Sequence, residues 1–286
     1  MNLKKLSRQL FRQGIVYAVL ALMVLVPVLW DDIRLALDDH AIEGDQTARQ
    51  RRHQLGQPLP GTPDLTKLNE RLAEAGLALG APVLIRIFKA ESQLELWMKR
   101  GDRFALFATY PVCRWSGKLG PKLKEGDKQA PEGFYTVGRQ QLNPESRWHR
   151  SFNIGYPNVF DRAHSRTGSY VMVHGGCSSV GCYAMTNATV DEIWRLVTAA
   201  LDKGQPLFQV QALPFRMSDA NLRRRSRHAA MPFWQELKRG HDLFEANHLP
   251  PKVTVCDGRY AFSSSVPGEP ADLIAPGCPP ARVASN

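Results

Sequence analysis

The sequence predicts a mainly β protein with helices packed on it, an α+β fold. Apolar residues alternate with other residues from Val83 and continue through a second and a third run that end at Leu106. Further strand-like stretches follow at 134–137, 170–173 and 208–212, between loops rich in Gly, Pro and Asn. Alternation with a period of two is typical of strands. One helix interrupts them, because apolar residues from Val190 to Leu201 recur at helical spacing.

Each element has a local signal. Lys99-Arg100-Gly101-Asp102 predicts the turn between the second and third strands. Thr189 and Glu192 have the spacing of a capping box, which predicts the start of the helix there. Asp257-Gly258, between two short apolar runs, predicts a hairpin.

The composition is that of a folded protein with a basic surface. The 286 residues are 43% hydrophobic, which excludes a pure linker or tail. Lys and Arg number 37 against 27 Asp and Glu, a net charge of +10 that favours an anionic partner or membrane face. Lys4, Lys5, Arg8 and Arg12 supply part of this excess.

Residues 15–30 contain no charge and follow that basic stretch. Their length is at the lower limit for a helix that spans a bilayer. No small-residue cleavage site follows, so the sequence predicts an uncleaved signal-anchor in the inner membrane, with the basic flank in the cytoplasm and the rest in the periplasm. The alternative is a periplasmic protein released by signal cleavage.

The chain is predicted to have six parts in order. They are a cytoplasmic basic flank (1–14), a transmembrane signal-anchor (15–30), a stalk with a short helix (31–82), a catalytic domain (83–214), a C-terminal helical extension with a hairpin (215–262) and a disordered tail (263–286).

The chemistry is concentrated between residues 170 and 187. A strand leads to His174, a glycine-rich segment follows, and Gly181 precedes Cys182. This order suits a cysteine nucleophile whose proton is taken by an imidazole, with a low-pKa thiolate. The backbone amides of Gly181 and Tyr183 are the candidate oxyanion donors.

Three other interpretations stay open on the residues alone. Cys177 and Cys182 are structural in the first, either buried or in disulfides, and Cys113 is a possible partner of Cys177. In the second, His174 and both cysteines, with or without His164, bind zinc, although their spacing fits no standard zinc pattern. In the third, His174 is a core histidine at a strand end.

Two segments resemble the signature of YkuD-type L,D-transpeptidases. His174-Gly175 followed by Ser179-Val180-Gly181-Cys182 and a later Asn187 is similar to the family's histidine-glycine step and its S/T-H-G-C-x-R-x-x-N motif. Upstream, Ala130-Pro131-Glu132-Gly133-Phe134 is similar to the family's T-P-x-G-x-F strand entry. Over roughly 83–262 the chain is most similar to the YafK-like branch.

The resemblance implies a β-sandwich-like domain that modifies peptidoglycan stem peptides without a cofactor or metal. It implies that Cys182 forms a thioester at a carbonyl of meso-diaminopimelate, and that His174 is the proton acceptor and donor. For the YafK-like branch it implies hydrolysis of the link between peptidoglycan and an outer-membrane lipoprotein.

Two departures from the motif favour hydrolysis. Val180 stands where the family has a second histidine, and Ala184 stands where it has arginine. The alternatives are true transpeptidation, which forms cross-links or attaches lipoprotein, and a non-catalytic module that only binds peptidoglycan.

Other candidate residues are substrate contacts. Arg162 and the lysines 118 and 122 are candidates for a clamp on a stem-peptide carboxylate. His164, Ser179 and Tyr156 are candidates for lining or orienting the site. The run Arg223 to Arg227 lacks interleaved aromatic residues, which argues against nucleic acid and favours anionic envelope polymer, lipid headgroups or a solvated helix face.

Overall fold

A computed structural model describes residues 3–269 and 273–278. The chain divides into two units, Met1–Glu43 and Gly44–Asn286, and the first helix, Leu3–Gln54, begins in one and ends in the other. Among the described residues, no helix has both the length and the apolar character to cross a bilayer. Most side chains of the predicted anchor, residues 15–30, lie outside the described part of the chain.

The elements alternate between short strands and a few longer helices. The strands are β1 (Val83–Phe88), β2 (Gln93–Arg100), β3 (Arg103–Pro111), β4 (Arg114–Trp115), β5 (Gly133–Gly138), β6 (Leu142–Asn143), β7 (Ser151–Asn153), β8 (Met172–His174), β9 (Tyr183–Ala184), β10 (Leu207–Leu213), β11 (Lys252–Cys256), β12 (Arg259–Ser263) and β13 (Ala275–Pro276). The helices are α1 (Leu3–Gln54), α2 (Leu68–Glu74), α3 (Val159–Ala163), α4 (Asn187–Asp202), α5 (Asp219–Arg224) and α6 (Met231–Asn247), with 3-10 turns at Leu65–Lys67 and Arg139–Gln141.

One of two five-stranded sheets forms the core and has the order β3-β2-β1-β10-β5. Its central strand β1 is parallel to β10 and antiparallel to β2. Every residue of β1 is buried, and Leu84 packs with Trp97, Phe104 and the α6 residue Phe244. Both faces of this strand are therefore covered. The combination of sheets and packed helices confirms the predicted α+β class.

A second sheet positions the candidate site and has the order β4-β9-β8-β7-β6. Strands β8 and β9 are parallel neighbours, with Val173 opposite Tyr183 and His174 opposite Ala184. Helix α4 follows β9 directly and contacts both β8 and β1. The end of β8 and the start of β9 thus come from chain segments that α4 holds against the core.

The helix start differs from the predicted one. The N-cap of α4 is Thr186, which accepts a hydrogen bond from the Thr189 amide at 3.3 Å. Glu192 does not cap: it is buried, accepts a hydrogen bond from Tyr110 at 2.6 Å and pairs with Arg71. Its spacing from Thr189 was misleading because its partners lie far away in sequence.

The segment after residue 31 also differs from the predicted stalk, because α1 continues to Gln54 before the chain turns at Gly56. Arg49 donates to the carbonyl oxygens of Ser92 at 2.9 Å and Val112 at 3.2 Å. Gln50 donates to the Cys177 carbonyl at 3.1 Å. The last turns of this helix are therefore part of the second unit, residues 44–286.

The C-terminal part contains the predicted hairpin and more order than expected. Strands β11 and β12 flank Asp257-Gly258, both with positive φ as a tight hairpin requires. Strand β13 pairs with β11, and Cys278 forms a disulfide with Cys256. Residues 275–278 of the predicted disordered tail are thus bound to the hairpin, whereas 270–272 and 279–286 lie outside the described residues.

Candidate active site

His174 is the last residue of β8 and is buried to 3% exposure. Its Nδ1 lies 2.6 Å from the Gly175 carbonyl oxygen. A carbonyl oxygen only accepts, so Nδ1 carries the proton and Nε2 is left as the basic nitrogen. Burial lowers the pKa of His174, and the Gly175 contact opposes this only in part. The imidazole is therefore a neutral base at neutral pH.

The turn after His174 is fixed from two sides. The Asn187 side chain accepts a hydrogen bond from the Gly176 amide at 2.8 Å. A Cβ on Gly175 would lie 2.6 Å from the Asn187 oxygen, so this position needs glycine. On the other side, the Trp148 ring lies 6.2 Å from the His174 ring. The motif asparagine thus holds the histidine turn in place.

Cys182 lies immediately before β9, beside β8. The register of the two strands places it opposite Met172, whose amide donates to Sγ at 3.4 Å. Directly paired residues, and residues two apart on one strand, share a face of a sheet. The side chains of Cys182 and His174 therefore project from the same face of neighbouring strands.

The thiol of Cys182 is free, whereas the other four cysteines form two disulfides. Burial raises the pKa of Cys182, and the Met172 amide and the Lys122 ammonium oppose the shift. The predicted low-pKa thiolate is thus not what this environment favours. At rest, the two side chains on this face are therefore a neutral thiol and a neutral imidazole.

Two serine hydroxyls accept hydrogen bonds from backbone amides next to Cys182. The Ser179 hydroxyl accepts from the Cys182 amide at 3.0 Å and donates to the Cys182 carbonyl at 2.7 Å. The Ser116 hydroxyl accepts from the Gly181 amide and lies 3.2 Å from the Ser179 hydroxyl. Ser179 thus fixes the turn that carries Cys182. The oxyanion roles of Gly181 and Tyr183 stay predictions. The Gly181 amide already donates its hydrogen bond to the Ser116 hydroxyl, so it is not free to receive an oxyanion in this structure.

Cys177 forms a disulfide with Cys113, the pairing that the sequence left open. Its sulfur is therefore not available as a zinc ligand beside His174. Among the described residues, the potential metal ligands that lie close together are Cys256, Asp257 and Cys278, and both of these cysteines are in a disulfide.

Arg162, His164 and Tyr156, three of the predicted substrate contacts, do not line the pocket at Cys182, whereas the predicted contact Lys122 does. Tyr156 is buried, and its hydroxyl donates to the carbonyl oxygens of Lys122 and Thr167, both at 3.3 Å. Arg162 donates to the Pro157 carbonyl. His164 contacts the Gly258 carbonyl at 2.7 Å and lines a separate cavity of about 810 Å³ between the 119–129 loop and the start of α6. Tyr156 therefore contacts the backbone of Lys122, which lines the Cys182 pocket, and does not line that pocket itself.

The pocket that contains Cys182 is lined by Lys122, a sequence candidate for the carboxylate clamp, and by residues that the sequence did not single out. Lys128 and Glu125 come from the loop between β4 and β5, and Tyr170 lies just before β8. Trp148, 43% exposed, covers the His174 side. Lys128 and Glu125 belong to no motif, so only the density of lysines between residues 118 and 128 indicated a role for this loop.

Residues 82–210 match the YkuD family, described as the L,D-transpeptidase catalytic domain. The chain is 50% identical over 191 residues to the "Putative L,D-transpeptidase YafK" of Escherichia coli K12, covering 67% of this chain and 78% of that protein. The homologue of Escherichia coli O157:H7 gives the same values.

Two solved structures are also similar. The helical cell shape determining protein Pgp2 from Campylobacter jejuni is 21% identical, with a TM-score of 0.39 over 52% of this chain and 55% of Pgp2. Bd1075 from Bdellovibrio bacteriovorus is 19% identical, with a TM-score of 0.33 over 57% of this chain and 60% of Bd1075. By its extensive identity to YafK and its match over 82–210, the chain belongs to the YkuD family of L,D-transpeptidase catalytic domains.

Proposed function

We propose that this protein is a cysteine acyl-enzyme that hydrolyses an amide at meso-diaminopimelate in peptidoglycan stem peptides. The observation that carries the proposal is the placement of a free thiol at Cys182 and a buried His174, whose Nδ1 contacts a carbonyl oxygen, on one face of two neighbouring strands. Family membership supports an acyl-transfer reaction. The proposed natural target is the peptidoglycan–lipoprotein link, as similarity to the YafK-like branch implies.

The first half-reaction begins as Nε2 of His174 takes the thiol proton. The Cys182 sulfur then forms a bond to the carbonyl carbon, and the carbonyl oxygen gains negative charge. When the C–N bond breaks, the imidazolium returns its proton to the leaving amine. The products are a thioester on Cys182, a free amine and a neutral His174.

In the second half-reaction water attacks the thioester. His174 takes a proton from the water, the C–S bond breaks and the thiol is restored, which releases a carboxylic acid. Water is favoured over an amine acceptor because two acceptor-side groups of the family motif are absent. Val180, which replaces a histidine, is 74% exposed, and Ala184, which replaces an arginine, is fully buried.

The placement of the domain is part of the proposal. The basic flank and the apolar run of residues 15–30 favour an inner-membrane anchor with the catalytic unit in the periplasm. The two disulfides support an oxidising compartment, because such bonds persist outside the cytosol. The partners there are stem peptides and a peptidoglycan-linked lipoprotein.

Product analysis tests the reaction. The full chain is incubated with purified lipoprotein-bearing peptidoglycan, with and without an excess of a D-amino acid as acceptor, and muropeptides are measured by mass spectrometry. We expect release of lipoprotein and free-acid tripeptide ends in both conditions, and none with Cys182→Ala. Products joined to the acceptor amine, without free acid, would favour transpeptidation. Retention of peptidoglycan binding without turnover would favour the binding module.

A further inference from the structure

The Cys182 pocket has an unusual arrangement of charges. It has a volume of about 120 Å³ and is open to solvent beside the thiol. Two lysines, Lys122 and Lys128, and one acid, Glu125, line it together with the exposed side chains of Tyr170 and Val180. Two cations and one anion next to a nucleophile suit a ligand that carries both charges.

Lys122 is held in a defined position although it is a long side chain. It is 6% exposed, and its ammonium donates to Asp127 at 2.5 Å and to the Lys124 carbonyl at 2.9 Å. An ammonium has three N–H donors, so one is left for a ligand. Its ring contact with Tyr156, at 5.8 Å, limits its movement further.

Asp127 does not cancel the charge of Lys122 completely. The carboxylate of Asp127 also accepts hydrogen bonds from the backbone amides of Leu123 at 2.9 Å, Lys124 at 3.0 Å and Gln129 at 3.0 Å. Because three N–H groups share its negative charge, the Lys122 ammonium keeps attraction for another anion.

Lys128 and Glu125 complete the rim. Lys128 is exposed and has a φ of +54°, a backbone conformation that is unfavourable for a residue with a side chain. Strained residues of this kind are frequent where a side chain must be presented to a ligand. Glu125 is exposed on the same loop, which the Thr167 hydroxyl fixes through a hydrogen bond from the Glu125 amide at 3.1 Å.

We infer that this pocket binds the free amino-acid end of a diaminopimelyl side chain, with its carboxylate at Lys122 and Lys128 and its ammonium at Glu125. The inference rests on the proposed function, since it places a stem peptide at Cys182. A diaminopimelyl side chain ends in both an ammonium and a carboxylate, whereas a lysyl side chain ends in an ammonium alone. The two lysines therefore select diaminopimelate stems over lysine stems.

Equilibrium binding tests this without turnover. The full chain carrying Cys182→Ala is titrated with the tetrapeptide L-Ala-γ-D-Glu-meso-diaminopimelyl-D-Ala and with its counterpart that has L-lysine at the third position. A third peptide has diaminopimelate and a C-terminal D-alaninamide. It lacks the carboxylate of D-alanine, which is the other carboxylate close to the reacting bond. Each titration is repeated with protein that also carries Lys122→Gln, Lys128→Gln or the control substitution Lys124→Gln. Lys124 is exposed and lines the neighbouring cavity.

We expect the diaminopimelyl peptide to bind about tenfold tighter than the lysyl peptide, because a charge-assisted contact is worth about this factor. Lys122→Gln should remove most of this preference, Lys128→Gln part of it and Lys124→Gln none. A preference that survives both pocket variants would overturn the inference. So would a loss of affinity in Lys122→Gln that disappears with the D-alaninamide peptide, since the D-alanine carboxylate would then be the ligand.

The outcome is separate from the fate of the proposed function. Lys128→Gln keeps the test decisive if Lys122→Gln unfolds, because Lys128 is exposed. If unmodified protein fails to cleave peptidoglycan while the peptide preference follows the lysines, the reaction is wrong and the binding site stands. If cleavage occurs but the preference for the diaminopimelyl peptide is unchanged in the lysine variants, the reaction stands and the proposed binding site is wrong.

Discussion

Burial acts on both members of the Cys182–His174 pair and disfavours the charged form of each. It raises the pKa of the Cys182 thiol and lowers the pKa of His174. The stable resting state is therefore neutral on both sides, and charge appears only as the sulfur attacks. The hydrogen bond from Nδ1 of His174 to the Gly175 carbonyl is already in place for the imidazolium that forms.

The pH dependence of hydrolysis follows from His174. The imidazole must be unprotonated to accept the thiol proton, and its lowered pKa keeps it so in mildly acidic solution. We expect the acid limb of kcat/KM to have its midpoint below about 6.5, the ordinary value for histidine. Rates of peptide hydrolysis between pH 4.5 and 8 measure it. A midpoint above 7 would mean that the imidazolium is stabilised instead.

Alkylation of Cys182 tests the other partner. Because burial raises the pKa of this thiol, the rate of its reaction with iodoacetamide should still increase above pH 8.5. Lys122→Gln removes a nearby cation and should slow alkylation at a fixed pH, while Lys124→Gln leaves it unchanged. Intact-mass analysis counts the labelled thiol. A rate that is already constant at pH 7 would contradict the neutral pair.

Among the elements, the loop between β4 and β5 supplies the charged side chains of the pocket, and a buried ion pair holds this loop. Lys89 at the end of β1 donates to the carbonyl oxygens of Lys118 at 2.8 Å and of Gly120 and Ala130 at 3.0 Å. It also pairs with Glu132 at 3.0 Å, and both side chains are fully buried. The wall of the Cys182 pocket is thereby attached to the core.

The ion pair also connects this loop to α6. Glu132 accepts hydrogen bonds from the Gly120 amide and from the Trp234 indole, both at 2.7 Å. Removal of Lys89 would leave a buried carboxylate without its cation. The C-terminal helix is therefore part of the support for the active-site loop.

We predict that Lys89→Met lowers the free energy of unfolding by about 3–5 kcal/mol, the usual loss when one partner of a buried pair is removed. The matched control is Arg139→Met, which breaks the exposed pair with Asp202 and should cost less than about 1 kcal/mol. Urea unfolding followed by tryptophan fluorescence compares the two. Equal losses would show that the buried pair has no special weight.

The strands were predictable because each carries its own periodicity, and the structure places them at 83–88, 93–100 and 103–111. The N-cap of α4 was not predictable. Glu192 accepts a hydrogen bond from Tyr110 and forms an ion pair with Arg71 instead of capping the helix. Long-range partners of this kind leave no trace in local spacing.

On the scale of the whole molecule, the disulfide between Cys113 and Cys177 joins the end of β3 to the turn after His174, across 64 residues. Leu59 packs against both cysteines, and Gln50 donates to the Cys177 carbonyl. The bond therefore ties the active-site turn to two distant parts of the chain.

A chain lacking this bond should be less stable and less active. For a loop of this length the chain-entropy model gives about 4 kcal/mol, which we expect Cys113→Ala/Cys177→Ala to lose. The second bond, between Cys256 and Cys278, closes a loop of only 22 residues far along the chain and is the control. Thermal unfolding and kcat of the two double variants measure this. An unchanged kcat without the first bond would contradict its role at the His174 turn.

The candidate site was predictable in part. The histidine and the cysteine stand in a compact motif, so their types and order indicated the chemistry, and the β8–β9 register places both on one face. The substrate contacts were less accessible to sequence reasoning. Of the candidates that the sequence offered, His164 is directed to Gly258, whereas Lys122 lines the Cys182 pocket. Lys128 and Glu125 also line this pocket, and nothing in their local sequence distinguishes them.

The central claim is that Cys182 forms a thioester with a stem peptide. It is tested most directly by intact-mass analysis of the full chain, quenched in acid within seconds of mixing with a diaminopimelyl tetrapeptide. We predict a mass increase equal to the acyl tripeptide in the unmodified chain, mapped to Cys182 by digestion, and none in Cys182→Ala. Cleavage of the peptide by Cys182→Ala at the rate of the unmodified chain would contradict the account.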